Sequence, residues 1–278
     1  MTIQDLIKNN VSTLRAKAIE SALLDTQLLL AHVLNVDKDY IILHPNDVIT
    51  PEQEKRFQAL IRRRAHHEPT EYITNKAHFY GLEFYVDKNV LIPRPDTEIL
   101  IETVLDNASH EKPIIILDIG TGSGCIAISL AKYLPYAAFT AIDISLPALN
   151  IAKQNAKNNN VSNINFLQHD ITKEFISDFD IIVSNPPYIP THTCCNLMPE
   201  VSNFEPRVAL DGGADGLNFY RLISKFAASH LAANGLVALE IGQNQEHDIE
   251  KIFNQNSFVL QSQTKDLAGI IRVLVFKK

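Results

Sequence analysis

Cysteine is scarce. The three in 278 residues, Cys125, Cys194 and Cys195, are too few for a disulfide framework and lack the C-x-x-C spacing of a zinc site. This usage implies the cytoplasm, and no metal ligand set is expected. Long apolar runs are missing too. Stretches such as Ile114–Leu117 and Ile181–Val183 fall far short of the roughly 18 residues a membrane span needs. The opening MTIQDLIKNN lacks the basic start and apolar stretch of a secretory signal. Nor is positive charge in excess. A net charge of −7 and a pI near 5.8 argue against a broad basic surface for nucleic-acid phosphates. The densest basic cluster, Arg62–Arg64, reads as the solvated end of a helix, where cations suit the macrodipole. Cys194 and Cys195 read as packing residues of a loop, since no low-pKa feature lies near them in the chain.

What is present is an ordinary globular composition, 46% hydrophobic and 21% charged, in a chain long enough for two domains. The first seventy residues hold no glycine. Leu6, Ile7, Val11 and Leu14, then Ala22–Leu24 and Leu28–Leu30 with Val33 and Leu34, recur at helical spacing. Thr50-Pro51-Glu52-Gln53 carries a hydroxyl N-cap, proline at the first helical position and glutamine to close a capping box. That helix runs to about His66, before Pro69. Residues 71–92 alternate aromatic and polar side chains around Gly81, which predicts a β-hairpin connector.

From about residue 93 strand, turn and helix alternate. Strands are expected at Ile114–Asp118, Phe139–Asp143, Asn165–Leu167, Ile181–Ser184 and Leu236–Ile241. Helices are expected at Cys125–Tyr133, at Leu146–Asn158 capped by Ser145, and near Phe219–Leu231. Phe258–Gln263 and Ile270–Lys277 are joined too closely to be parallel. The fold class is therefore α/β: a Rossmann-like parallel sheet with a terminal antiparallel strand, plus a small N-terminal helical domain and the hairpin connector. The expected boundaries are 1–70, 71–92 and 93–278.

Two segments carry the chemistry. Gly120-Thr121-Gly122-Ser123-Gly124 follows a strand and opens a helix, at the sheet edge where open α/β folds bind ligands. Its G-x-G-x-G spacing differs from the dinucleotide fingerprint, and no G-K-[ST] triphosphate motif is present. Asp143, 23 residues after Gly120, ends the next strand, where an acid can accept hydrogen bonds from ribose hydroxyls. Loop and acid together indicate an adenosine-containing cofactor. The second segment, Asn185-Pro186-Pro187-Tyr188, again follows an apolar strand, and its prolines stiffen the turn. The Asn185 oxygen and neighbouring backbone carbonyls can accept both hydrogens of an –NH2 group, and Tyr188 offers an aromatic face for a planar substrate. His78 and His169 read as structural or solvated, and Glu98 as an orienting group near the pocket.

These segments resemble a class I S-adenosylmethionine-dependent methyltransferase that acts on planar nitrogens. Further motifs narrow the likeness. They are Glu68-Pro69 with Tyr72, Phe79 with Gly81-Leu82, Val90 to Glu98 with its Pro-Arg-Pro-Asp-Thr-Glu run, and Glu205-Pro206-Arg207. Gly212 to Leu217, Glu240-Ile241-Gly242 with Gln243, and Asp266 to Gly269 with Arg272 complete them. Over essentially the whole chain these resemble the release factor glutamine methyltransferase family (HemK/PrmC). The resemblance implies methylation of the side-chain amide nitrogen (N5) of the glutamine in the Gly-Gly-Gln motif of class 1 peptide chain release factors. Carried over by position, Gly120 to Gly124, Asp143 and Asn185 would hold S-adenosylmethionine, with Asp170 and Ile171 flanking the adenine. Asn185, Pro186, Pro187 and Tyr188 would hold the glutamine side chain, with Asn185, Pro186 and Tyr188 at the transfer itself. The helical N-terminus would contact the release factor, and a monomer is expected, with no direct nucleic-acid or membrane partner.

Two positions depart from the family pattern. Ile171 stands where some relatives have tryptophan, and Thr74-Asn75 where a glycine is usual. Two other readings compete. A nucleic-acid exocyclic-amine (N6-adenine type) methyltransferase would need a phosphate-gripping surface that the acidic balance disfavours. A nucleoside-binding regulatory module with a dead site would be favoured by a broken Asn-Pro-Pro-Tyr, which is intact here.

Overall fold

The computed structural model describes residues 1–109 and 112–278, and the chain forms two compact units. The first comprises Met1–Lys76 together with Met198–Phe204, the second Ala77–Leu197 together with Glu205–Lys278.

The first unit is helical: α1 (Ile3–Arg15), α2 (Ala22–Leu34), α3 (Lys38–Leu43), α4 (Pro51–Ala65), α5 (Thr70–Thr74) and, from far along the chain, α9 (Pro199–Phe204). The capping box predicted for α4 is present, with the Thr50 hydroxyl accepting from Gln53 N at 3.2 Å and Gln53 Oε1 accepting from Thr50 N at 3.0 Å. Leu6, Leu14, Leu29, Leu30, Phe57 and Ile61 are buried together as its core. Thr70–Thr74 is a short helix rather than the start of a hairpin. Asn75 ends it at φ +56°, a left-handed conformation that asparagine tolerates next best after glycine.

Arg62 and Arg63 are exposed in the last turn of α4, as the reading of a solvated helix end expects, but Arg64 is not. Its side chain is buried, with Nε 2.7 Å from Asp25 Oδ2 and Nη2 on Glu200 of α9. Asp25 also accepts the Ser21 hydroxyl at 2.7 Å. The helix pattern located α4 correctly, but periodicity gave no sign that a distant carboxylate turns its last basic face inward.

The second unit opens with the hairpin β1 (Ala77–Phe79) and β2 (Leu82–Phe84), followed by α6 (Glu98–Asn107). Its main sheet then alternates β3 (Ile115–Ile119), α7 (Cys125–Tyr133), β4 (Ala138–Asp143), α8 (Leu146–Asn158), β5 (Ile164–Gln168) and β6 (Phe179–Ser184). It ends with α10 (Asn218–His230), β7 (Leu231–Glu240), α11 (Glu246–Asn254), β8 (Val259–Lys265) and β9 (Ile271–Lys277). The strand order is β5-β4-β3-β6-β7-β9-β8. Strands β3 to β7 pair in parallel, and β9 enters antiparallel between β7 and β8.

Burial follows position in the sheet. Central strands β3 and β6 are nearly wholly buried, as their unbroken Ile/Val/Leu runs require. The outer strands β5 and β8 keep exposed polar residues such as Asn165, Gln261 and Gln263, which discourages edge pairing. Ser145 caps α8 as expected, accepting from Ala148 N at 3.3 Å. Among the described residues, no helix is long and apolar enough to cross a membrane.

The buried Arg64–Asp25–Glu200 cluster yields a stability prediction for the helical unit. Arg64→Ala leaves Asp25 charged and unpaired, and should lower stability by about 3–5 kcal/mol. Chemical denaturation followed by circular dichroism measures this, and an unchanged midpoint would remove the cluster from the unit's stability.

Candidate active site

The sheet's strand order reverses between β3 and β6, and ligands of open α/β folds bind outside the carboxyl ends at such a switch point. Pairing in register brings Ile119 opposite Ser184, and the buried Ser184 hydroxyl donates to the Ile119 carbonyl at 2.7 Å. The loop after β3 and the turn after β6 therefore leave the sheet side by side.

One cavity collects most of the predicted residues. Gly120, Gly122, Asp143, Asp170, Ile171, Asn185, Pro186 and Pro187 all line it, and its other walls are largely apolar, including Leu91, Val208 and Phe219. Four predicted residues are absent from that lining. The Thr121 hydroxyl donates to buried Asp118 at 2.6 Å. Ser123 gives its carbonyl to Asn155. Gly124 packs so closely that a Cβ would lie 2.9 Å from Ile128 Cδ1 and 3.1 Å from Ala152 Cβ. Tyr188 turns its hydroxyl away toward Glu240.

Asp143 holds the loop. Its Oδ2 accepts from Gly122 N at 2.9 Å and its Oδ1 from Ser145 N at 2.8 Å. Burial pushes its carboxyl above the ordinary range, and the backbone donors offset part of that rise. Each oxygen retains acceptor capacity for a ligand hydroxyl. Asp170 accepts from the Thr172 backbone and hydroxyl, which hold its pKa below the usual value. His169 also lines the cavity, and its Nε2 is buried without a hydrogen-bond partner. An unpartnered buried nitrogen beside Asp170 and Ile171 suits a ligand with polar ring edges.

The Asn185-Pro186-Pro187-Tyr188 turn is braced from several sides. Asn185 Nδ2 donates to Thr97 Oγ1 at 3.1 Å, which leaves its oxygen as the free acceptor. Gln245 clamps the far end, donating from Nε2 to Tyr188 O at 3.0 Å while Oε1 accepts from Gly242 N at 3.0 Å. The backbone of Gly212 lies beneath, where a Cβ would come 2.8 Å from both Pro187 O and Tyr188 Cα. A fully buried brace holds the glycine loop. Asn155 of α8 donates to Ser123 O and Tyr85 O, at 2.9 and 3.0 Å, and accepts from Tyr85 N at 2.7 Å.

Several of these residues gave no functional signal in the sequence. Asn155 and Gln245 lie outside any motif singled out there, and Thr97, Gly212 and Glu240 appeared only within family motifs without a role. A polar residue among apolar helix positions, as at Asn155 between Ala152 and Ala156, was the one available clue. Glu98 is not in the cavity lining. Its Oε1 accepts from Tyr80 N at 2.8 Å, so it orders the hairpin turn rather than the pocket. His78 is exposed beside Glu83.

A glycine loop at the switch point, an acid ending the next strand and the Asn185-Pro186-Pro187 turn in one cavity belong to a class I methyltransferase. Comparison with known proteins agrees. Residues 5–74 match the PrmC N-terminal domain and residues 95–198 the methyltransferase small domain. The chain is 41% identical over 260 residues to the release factor glutamine methyltransferase of Thermodesulfovibrio yellowstonii, covering 91% of this chain and 92% of that protein. It is 39% identical over 277 residues to the one from Fusobacterium nucleatum, covering 99% of this chain and 78% of that protein. A solved methyltransferase from Pyrococcus furiosus shares the fold, with a TM-score of 0.54 at 20% identity over 79% of this chain and 96% of that one. The chain belongs to the release factor glutamine methyltransferase family.

Two buried carboxyls near the site fix the sign of a pH effect. Burial pushes Asp118 up from 3.8 to about 7 and Glu240 up from 4.5 to about 7. The folded protein holds both protons to a higher pH than the unfolded chain does. Stability should therefore fall as pH rises from about 4 to 7, by up to roughly 3–4 kcal/mol per group. Thermal melts across this range should show the decline, and Asp118→Asn should flatten part of it. An equal slope in that variant would dissociate Asp118 from the effect.

Proposed function

We propose that this protein methylates the side-chain amide nitrogen (N5) of the glutamine in the Gly-Gly-Gln motif of class 1 peptide chain release factors, using S-adenosylmethionine. One observation carries the reading: the Asn185 carboxamide oxygen is left free by the Nδ2–Thr97 bond, in the same cavity as Gly120, Gly122 and Asp143. The names of the relatives from Thermodesulfovibrio yellowstonii and Fusobacterium nucleatum support the same substrate class.

The cavity suits this cofactor chemically. Gly120 to Gly124 let the backbone approach it closely, and Asp143 has acceptor capacity for two ribose hydroxyls. Asp170 and Ile171 flank the adenine, with Ile171 giving an aliphatic wall where some relatives have an aromatic one. When bound, S-adenosylmethionine supplies a methyl group already activated on a sulfonium.

The protein's task is then alignment. An amide nitrogen is a poor nucleophile because its lone pair is delocalised into the carbonyl. Asn185 Oδ1 and the Pro186 carbonyl accept the two amide hydrogens, orienting the nitrogen and favouring the positive charge that develops on it. Pro187 stiffens the turn and Tyr188 closes it. This is electrostatic preorganisation built from acceptors, and alignment of this kind can supply up to roughly 7–11 kcal/mol of a barrier. No side chain acts as a dedicated strong base, because the amide proton becomes acidic once the methyl arrives. Residues 1–70 contact the release factor, residues 71–92 connect, and residues 93–278 catalyse. The protein works as a monomer in the cytoplasm, without direct nucleic-acid or membrane contact.

Transfer of labelled methyl to purified release factor tests the substrate directly, beside a factor whose Gly-Gly-Gln glutamine is replaced and beside duplex DNA. Label on the intact factor alone is the expected result, and label on DNA or on both factors equally would overturn it. Asn185→Ala should lower turnover at least about a hundredfold, and activity within a few fold of wild type would remove its orienting role. Asp143→Ala should chiefly weaken cofactor binding in calorimetry, where unchanged affinity would reject the ribose assignment.

A further inference from the structure

Glu240 ends β7, buried, and the chemistry assigned so far gives it no part. Its surroundings offer its charge almost nothing. Oε2 has no hydrogen-bond partner. Oε1 accepts from the Tyr188 hydroxyl at a long 3.5 Å. Tyr220, reaching in from α10, donates to the Glu240 backbone carbonyl at 3.0 Å and not to the carboxyl. The nearby cation, Arg272 of β9, is committed to Asp96 at 2.9 Å and Asp266 at 2.8 Å. Asp96, on the turn before α6, adds like charge. A buried carboxyl without a bound cation costs several kcal/mol unless something else recovers it.

What the carboxyl faces are the two ends of one turn. Tyr188 reaches it directly. Asn185 reaches it through Thr97, whose hydroxyl faces the Glu240 carboxyl and favours its ionised form, although without full hydrogen-bond geometry. Thr97 Oγ1 already accepts from Asn185 Nδ2, so its own proton must point elsewhere, and the Glu240 carboxylate is the acceptor in front of it. A hydroxyl has one proton and two lone pairs. Its donor direction therefore determines whether a lone pair is presented to Asn185.

We propose that Glu240 is a positioning residue for methyl transfer: through the Thr97 hydroxyl it fixes which end of the Asn185 carboxamide meets the substrate, and through Tyr188 it holds the other end of the same turn. This rests on Asn185 receiving the glutamine amide, as proposed above. Ionised Glu240 draws the Thr97 proton toward itself, so Thr97 accepts from Asn185 Nδ2 and Asn185 Oδ1 faces the substrate. Protonated Glu240 becomes a donor and competes with Asn185 for the Thr97 oxygen, which loosens the carboxamide. Around Glu240 lie Tyr188 and the Cys125 thiol, both pushed up to about 12 chiefly by burial, Tyr220, which burial also pushes up, and Thr97, Asp96 and Arg272. Burial places the Glu240 carboxyl itself at about 7, so the arrangement switches there.

The test has one arm without substrate and one with it. In isotopically labelled protein, the Asn185 side-chain amide resonances, assigned by their loss in Asn185→Ala, should shift with a midpoint near pH 7. The shift should vanish in Glu240→Gln and Thr97→Val and persist in Thr97→Ser, which keeps the hydroxyl. In the methylation assay kcat should rise through the same pH, whereas Glu240→Gln should lower kcat roughly tenfold, flatten the profile and leave the cofactor KM unchanged. If Glu240→Gln fails to fold, the Thr97 pair makes the same distinction. Resonances that do not move, or that move equally in Glu240→Gln or Thr97→Val, overturn the proposal. A wild-type enzyme that leaves the release factor unmethylated rejects the proposed substrate instead, and the resonance shift still decides the positioning role.

Discussion

The site depends on the pairing of β3 with β6. These strands are far apart in sequence and become neighbours only because the chain builds β4 and β5 on one side of β3 and then crosses to the other. Register places Ile119 against Ser184, so the glycine loop and the Asn185–Tyr188 turn emerge from adjacent strand ends. A slip of one residue would turn every side chain of β6 to the opposite face, and Asn185 would no longer share a wall with Asp143. Buried Val, Ile and Leu on both faces, with the Ser184–Ile119 bond between the strands, resist such a slip. The alignment of the two loops at the strand ends is thus inherited from hydrophobic packing within the sheet.

Around this pair lie side-chain amides, buried at Asn155 and half-buried at Gln245, that position backbone. Asn155 fastens the glycine loop to the segment after the hairpin, and Gln245 fastens the end of the proline turn to the β7 exit. A carboxamide suits this work because it offers donors and an acceptor in one rigid plane. Both loops leave the sheet as irregular backbone, where unpaired amides and carbonyls would be expensive to bury. These side chains replace the sheet partners that the backbone gives up.

The alternation of strands and helices, the antiparallel end of the sheet, the capped helix α4 and the Ser145 cap were legible in the sequence because each depends on local spacing. The two loops were legible for the same reason. Thr97, Asn155 and Gln245 were not. Their partners lie 88, 70 and 57 residues away, and no spacing rule links an asparagine on one helix to a carbonyl in a distant loop. Arg64 shows the converse failure. Its sequence neighbours suggest a solvated cationic cluster, and only Asp25 and Glu200, 39 and 136 residues distant, make its burial favourable. Asn75 occupies a left-handed position that its short polar side chain tolerates, a fit apparent only once the φ angle is known.

The helical unit is discontinuous: its last piece, Met198–Phe204, is encoded within the methyltransferase half of the chain. During synthesis the first 76 residues leave the ribosome with the Arg64 guanidinium lacking one of its two carboxylate partners. That partner, Glu200, emerges only after β3 to β6 have been made. The helical unit therefore cannot finish assembling as an independent early domain, although vectorial synthesis usually favours the N-terminal domain. Its completion and that of the sheet fall in the same late interval, so a nascent chain stalled before Met198 would carry neither a complete helical unit nor a complete sheet.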